Sequence, residues 1–565
     1  MKSDVMHEIR QFTNVRELIE WAAETHKDRV AYSFKPDPQK NEITKITFKE
    51  LRNDVRALSS KLISMGCSGK HCVLIGKLSY EWAVTYYSVL SAGGVLVPLD
   101  RDWLAADLAD TAAKADAKFL FCDEDVAEKG ATVAESTSLL EETVYLNAKK
   151  EERTLRSFIE EGKDIFHKSR AEYFNTPIDP MRLSLLVFTS GTTGKGKGVM
   201  LSQDAILSDI ASVIPYVYFG SKSVGVLPPH HTFGSTVTFL GHTIIGCEVY
   251  ISSGLRYIQK ELKEQQPEHL VLVPLYLETF YRKIMANVKD QGKEGALKNL
   301  IKISNGLRKT GIDARAKLFS SIRAAFGGKV NMIVCGGAPL NNDILAFYEN
   351  IGITVINGYG ITECAPVVSV NHFKNVVPGS IGNPLDICEV KISEPNEDGE
   401  GEICVKGRNV MLGYYNDKEA TAEAIDQDGY FKTGDYGKFD ENGILYITGR
   451  KKNLIILSNG KNVYPEEIES EIIAVPGVLE VIVYEGQSKK GMAHNTIVAE
   501  VFPDMAYIEK NGIEDIKAYL KKYVDEYNKT AVPYKKIGLL KVRKEEFPKN
   551  TLKKIMRFKL DMSID

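Results

Sequence analysis

One short stretch sets the terms for the fold. Thr189, Ser190, Gly191, Thr192, Thr193, Gly194, Lys195, Gly196, Lys197 and Gly198 lie between the apolar runs 183–188 and 199–201. A buried strand that empties into glycines, hydroxyls and two lysines collects backbone N–H groups, side-chain donors and positive charge in one place, as a polyphosphate requires. Two folds can present such a loop. From Gly191 to Lys197 the spacing fits the G-x-x-x-x-G-K portion of a Walker loop, but Gly198 stands where a Ser or Thr must ligate magnesium. A Walker loop also opens straight into a helix, whereas 199–201 reads as a second short strand before Ser202 can cap anything. The expectation is a hairpin-like phosphate loop. Taken alone, the stretch suits a flexible glycine turn equally well.

Before the loop, Thr47 and Glu50 form a capping box, and Leu51, Val55, Leu58 and Leu62 follow at helical spacing. Strands are expected at 72–76 and 94–98 and helices at 81–91 and 108–115, an alternation that implies parallel α/β layers. The segment 141–173 reads as charged, largely helical surface. After the loop, a strand at 224–227 runs into Pro228, Pro229, His230, His231, Thr232, Phe233 and Gly234. Adjacent histidines beside an aromatic residue can line a pocket, although histidines at strand ends are more often structural.

Further strands at 270–273, 330–334 and 354–356 end in Pro274, in Gly336, Gly337 and Ala338, and in Asn357, Gly358, Tyr359, Gly360, Ile361, Thr362 and Glu363. In an open α/β sheet the ligand crevice lies beyond the carboxyl ends of the strands, so these loops point to one crevice. Thr362 can hydrogen-bond a phosphate there, and Glu363 can hold the accompanying magnesium. From residue 381 the texture changes to short strands punctuated by Asp-Gly and Asn-Gly turns, the mark of a β-rich subdomain. It contains Asp435, a strand-end carboxylate suited to ribose hydroxyls. A small unit follows Arg450, with a Pro465-first helix start and an amphipathic helix carrying Ile516, Leu520 and Val524.

With 565 residues, two or more domains are expected. The hydrophobic share of 44%, charged share of 26% and net charge of -3 fit an ordinary globular protein and argue against nucleic-acid binding. A charged N-terminus and the lack of a long apolar run predict a cytoplasmic enzyme without a membrane span. The eight cysteines form no C-x-x-C pair, so reduced thiols are expected.

In this order, the phosphate loop, Tyr359 to Glu363, Thr433-Gly434-Asp435, Gly449-Arg450, the Tyr464 to Glu469 segment and a terminal lysine resemble the adenylate-forming superfamily. The whole pattern looks most like bacterial long-chain fatty acid CoA ligases. The resemblance implies a large α/β N-terminal domain (1–449, with its β-rich subdomain at about 381–449) and a small mobile α+β C-terminal domain (450–565). It implies ATP, magnesium and coenzyme A. Thr189 to Gly194 and Lys197 would grip the β- and γ-phosphates, Thr362 would contact the α-phosphate, and Glu363 would bind magnesium. Gly337, Ala338, Asn357, Gly358, Tyr359 and Gly360 would complete the nucleotide site, and Asp435 and Arg450 would hold the ribose. Lys452 matches the hinge, Gly460 the glycine lining the pantetheine channel, and Lys554 the catalytic lysine, with Lys553 as the neighbouring alternative. His231, Phe233 and Gly336 would border the acyl pocket.

The chain departs from the family pattern at Gly196, Asn357, Asn453, Asn550 and Lys553. Three readings stay open at this level: a long-chain acyl-CoA synthetase, a ligase for another carboxylate or for loading an acyl carrier protein, and a silent nucleotide or acyl binder. Chain-length preference, contact with a membrane surface, and monomer against homodimer are not encoded in any motif.

Overall fold

The computed structural model describes residues 5–6, 9–148, 153–189, 196–456, 462–487, 493–549 and 555–564. The largest sheet has seven strands in the order Gly413–Tyr414, Lys197–Ser202, Leu183–Thr189, Val95–Leu99, His71–Ile75, Ala117–Cys122 and Glu142–Tyr145. From Leu183–Thr189 onward neighbours run parallel, and among the first three strands each neighbouring pair is antiparallel. Strands buried on both faces need continuous apolar runs, which His-Cys-Val-Leu-Ile and Val-Leu-Val-Pro-Leu supply. Helix Phe48–Ser64 starts as its capping box requires. The Glu50 N–H donates to Thr47 Oγ1 at 3.2 Å, and the Thr47 N–H donates to Glu50 Oε2 at 2.7 Å. Leu51, Val55, Leu58 and Leu62 are buried as its inner face.

The segment 141–173 differs from the expectation at its start. Helices Leu155–Lys168 and Arg170–Asn175 are present, but Glu142–Tyr145 is the edge strand of the large sheet. Only Val144 of that strand is buried, so no alternation marked it; pairing with Ala117–Cys122 defines it instead.

A second sheet orders His269–Leu272, Met332–Cys335, Thr354–Gly360, Val367–Val370 and Asn383–Pro384. Its first three strands are parallel, which brings Leu272, Cys335 and Asn357 side by side at one end. The strand expected at 354–356 continues through Gly360, because Gly358 and Tyr359 pair antiparallel with Val370 and Ser369. The strand expected at 224–227 is Lys222–Gly225, within a third, four-stranded sheet.

Strands Cys388–Ser393, Gly401–Gly407, Phe431–Phe439 and Leu445–Arg450 form an antiparallel sheet. Within this run Gly413–Tyr414 leaves to pair with Lys197–Ser202. Beyond Arg450, strands Val478–Gln487, Ala493–Pro503 and Ile537–Val542 share a core with helices Pro465–Ile473 and Ile516–Thr530, built on Ile468, Val483, Val501 and Leu520.

Candidate active site

Strands Leu183–Thr189 and Lys197–Ser202 are paired to their ends, where Thr189 faces Lys197 and its Oγ1 donates to the Lys197 carbonyl at 3.4 Å. The next helix, Gln203–Val213, begins only after the second strand, and Ser202 Oγ caps it by accepting the Ala205 N–H at 3.1 Å. The stretch is therefore the stem of a hairpin and not a strand-to-helix Walker loop. Ser190, Gly191, Thr192, Thr193 and Gly194 lie outside the described residues.

The two-residue strand Gly413–Tyr414 lies along this stem. Backbone N–H groups of Leu412 and Tyr415 donate to the carbonyls of Met200 and Gly198 at 2.8 and 2.7 Å. The same segment reaches the Thr362–Cys364 turn, where the Met411 N–H donates to the Glu363 carbonyl at 2.8 Å. Tyr414 connects both sides through its side chain. Its hydroxyl donates to Glu363 Oε1 at 3.1 Å, and Lys197 Nζ sits 4.6 Å from its ring centroid. Burial and the Glu363 carboxylate push the Tyr414 phenol up, so it stays a proton donor.

A second cluster forms on Asp435, which pairs in register with Arg450 across adjacent strands. The buried carboxylate accepts the Tyr359 hydroxyl on Oδ2 at 2.7 Å and meets Arg450 Nε on Oδ1 at 2.9 Å. Burial first, and then the Asp435 charge, raise the Tyr359 phenol well above its usual range. The Arg450 side chain is 57% exposed, so one side of the pair is open to a ligand.

The loops at the ends of the parallel strands meet at Phe233. A Cβ on Gly336 would stand 3.4 Å from the Phe233 ring and 3.5 Å from the Gly358 carbonyl, which places Phe233, Gly336 and Gly358 together. Gly337 takes a φ of 88°, a turn open to glycine, and Ala338 beside it is exposed. The Asn357 carbonyl accepts the Asn371 N–H at 3.0 Å. Gly360 packs so tightly that a Cβ would fall on the Pro366 carbonyl. His231 occupies the turn ahead of Phe233, its carbonyl accepting the Ser235 N–H at 2.9 Å. Its neighbour His230 lies 3.5 Å from Asp100, and burial lowers that imidazole against the pull of Asp100 and Asp102.

Lys452 lies in the turn Lys451–Asn453 that follows Arg450, where Lys451 pairs with Glu402 at 2.6 Å and the Asn453 amide donates to Glu466 at 2.6 Å. Gly460, Lys553 and Lys554 lie outside the described residues. The flanks of the last two are fixed: Lys549 bridges Ile555, Lys549 pairs with Glu480, and Arg557 holds Glu469 and the Val483 carbonyl.

Sequence reasoning passed over three features. Tyr414 was visible only as part of a motif string. Residues Phe233–Gly241 form a π-helix, which an apolar run without period does not announce. Finally, His242, Cys247 and His269 converge, with their ligand atoms within 4.8 Å of one another. The Gly220 N–H donates to His269 Nδ1 at 3.1 Å, so that ring carries its proton on Nε2 and donates it to His242 Nε2 at 2.9 Å. His242 Nδ1–H then donates to the Val237 carbonyl at 2.9 Å. A metal would have to displace the proton between the rings, so the bonding fits a neutral histidine pair instead.

A family profile described as AMP-binding enzyme matches residues 19–415. The chain is 30% identical over 462 residues to the long-chain-fatty-acid–CoA ligase FadD15 of Mycobacterium bovis, covering 78% of this chain and 75% of that protein. Its fold is similar to that of ATP-bound MatB from Rhodopseudomonas palustris, with a TM-score of 0.74 at 24% identity, covering 96% of this chain and 97% of that one. It is also similar to the o-succinylbenzoate CoA synthetase MenE from Bacillus subtilis in complex with its acyl-adenylate, with a TM-score of 0.70 at 19% identity over 96% and 97%. The matched region takes in the hairpin stem, the Thr362–Cys364 turn and the strand that joins them, and the chain belongs to the AMP-binding enzyme family.

Proposed function

We propose that this chain, an adenylate-forming ligase of the acid–thiol class, activates a long-chain fatty acid with ATP and passes the acyl group to coenzyme A. The observation that carries the reading is the meeting of Lys197 and Glu363 on Tyr414, which sets a phosphate-loop cation and an oxygen donor one side chain apart. The fatty-acid assignment draws on the name of the mycobacterial relative and on Phe233, which gives the crevice an apolar border at Gly336.

In the first step a carboxylate oxygen bonds to the α-phosphorus while the bond from that phosphorus to its bridging oxygen breaks, and pyrophosphate leaves with the electron pair. Two anions must approach, so the site has to cancel their repulsion and hold the attacking oxygen in line. In this reading Lys197 and the residues from Ser190 to Gly194 bind the outer phosphates, and Thr362 donates to the α-phosphate. Asp435, with Arg450 beside it, accepts from the ribose hydroxyls, and Tyr359 flanks the base together with Gly337, Ala338, Asn357, Gly358 and Gly360. Lys554 supplies positive charge between the acid and the α-phosphate. Glu363 fits a magnesium ligand: it is a hard oxygen donor, partly exposed, and among the described residues only Oε1 is engaged. Magnesium, when bound there, supplies charge to the phosphate oxygens.

In the second step the coenzyme A thiol gives its proton to solvent, its sulfur bonds to the acyl carbon, the bond from that carbon to the phosphate oxygen breaks, and AMP leaves with the electron pair. The unit after Arg450 would turn about Lys452 between the steps, so that Gly460 lines the thiol channel in place of Lys554 at the phosphate. No helix among the described residues is long and apolar enough to cross a membrane.

ATP–pyrophosphate exchange against acids of graded chain length, with and without coenzyme A, tests the proposal. Exchange that depends on a long-chain acid, with thioester appearing only on addition of coenzyme A, is expected. Exchange with an aromatic or dicarboxylic acid but with no fatty acid would overturn the substrate. Thioester formed only on a carrier protein would overturn the acceptor.

A further inference from the structure

We infer that Tyr414 is a positioning residue that sets the geometry of Glu363 for the metal–nucleotide complex while keeping Lys197 from neutralising it. The inference rests on the function proposed above. The physical problem is simple. A lysine on the hairpin stem and a glutamate on the neighbouring turn are opposite charges close together, and a direct ion pair would satisfy both while removing both from a ligand. Among the described residues Lys197 and Glu363 form no such pair. Instead, the ammonium lies over the face of the Tyr414 ring, and the carboxylate accepts the hydroxyl at the far end of the same ring. A rigid phenol between the two charges satisfies each weakly and holds them apart.

The surroundings fix the phenol itself. Tyr414 is buried, and its backbone is tied into the stem opposite Val199. Its N–H donates to Thr421 Oγ1 at 2.9 Å, from the helix Lys418–Ala424 behind it. The turn bearing Glu363 is joined to the same segment through the Met411 N–H. Tyr414 therefore touches Glu363, but neither the reacting carboxylate nor the α-phosphorus is assigned to it; it acts through its neighbour. Groups that orient a metal ligand through one hydrogen bond typically change metal affinity about 10- to 100-fold when removed.

Two substitutions separate the two ends of the side chain. Tyr414→Phe keeps the ring under Lys197 and removes only the hydroxyl. Tyr414→Leu removes both. The measurement is calorimetric titration of ATP into the 565-residue chain, once with magnesium and once with EDTA, with no acid substrate present. For the unaltered protein, magnesium should tighten ATP binding. Tyr414→Phe should lose about 10-fold or more of that magnesium-dependent increment and leave metal-free ATP binding unchanged. Tyr414→Leu should weaken metal-free binding as well, because Lys197 loses its seat.

A purely structural role would lower both affinities equally in Tyr414→Phe, and that result overturns the inference. So does an unchanged magnesium increment in Tyr414→Phe. If the unaltered protein itself binds ATP no better with magnesium than without, the nucleotide reading fails first, and the two failures are thereby told apart.

Discussion

Acidification should strip stability from this protein through the buried pair His242 and His269. Both rings are fully buried and lie nearly parallel, and both are neutral in the bonding pattern that runs from the Gly220 N–H to the Val237 carbonyl. Phe219 meets both rings edge-on, so an apolar ring and not solvent faces a charge there. Burial drives His242 from 6.5 down to about 4, and burial together with the neighbouring ring drives His269 well down. The sign follows from proton counting. Between those two values the unfolded chain binds a proton that the folded chain refuses, so stability rises with pH, and it is lost as pH falls from the unfolded value toward the folded one. For His242 alone, linkage gives about 2 kcal/mol lost between pH 7.5 and pH 5. His269 adds to the loss in the same direction. The assay is urea unfolding at a series of pH values for the unaltered protein and for His242→Asn. The variant should be less stable at neutral pH, because the inter-ring bond is gone, yet it should show a flatter pH dependence in the acid range. Equal slopes in the two proteins would refute the reasoning.

Three further outcomes follow from the site. Asp435→Asn should raise the ATP KM roughly tenfold or more, since a charge-assisted bond to Arg450 is lost and an amide N–H₂ is turned toward a guanidinium; steady-state kinetics with ATP varied will read it. Lys554→Ala should slow adenylate formation about 100- to 1000-fold while largely sparing thioester formation from supplied acyl-adenylate, so equal loss in both half-reactions would remove the lysine from its assigned role. Gly360→Ala should cost at least about 2 kcal/mol, because the added methyl meets the Pro366 backbone and not a movable side chain; an unchanged thermal midpoint would contradict that contact.

Local chemistry was legible in the sequence wherever it is decided locally. Thr47 and Glu50 predict a helix start, and Ser202 the next helix after a second strand, because capping depends on residues three apart. The failure of Gly198 as a magnesium ligand position correctly separates a hairpin from a Walker loop, since the stem is set by two adjacent apolar runs. What was hidden depends on distant partners. Tyr359 was read as part of a loop, yet it lies in a strand because Ser369 pairs with it. Glu142–Tyr145 is a strand only by virtue of its neighbour in the sheet. His242 and His269 stand 27 positions apart on different elements, and no spacing rule joins them. Tyr414 gains its importance from Lys197 and Glu363, which reach it from two other parts of the chain.

The seam between Gly413–Tyr414 and Lys197–Ser202 also bears on how the molecule is made. The hairpin stem is synthesised early, but the strand that completes its edge arrives much later; the nearby contact of Arg408 with Asp204 spans 204 residues. Until then a growing chain exposes the unpaired edge of Lys197–Ser202, the kind of surface that pairs with the wrong partner. Chains cut short before residue 413 should therefore aggregate and fail to retain ATP, even with every residue of the hairpin itself in place.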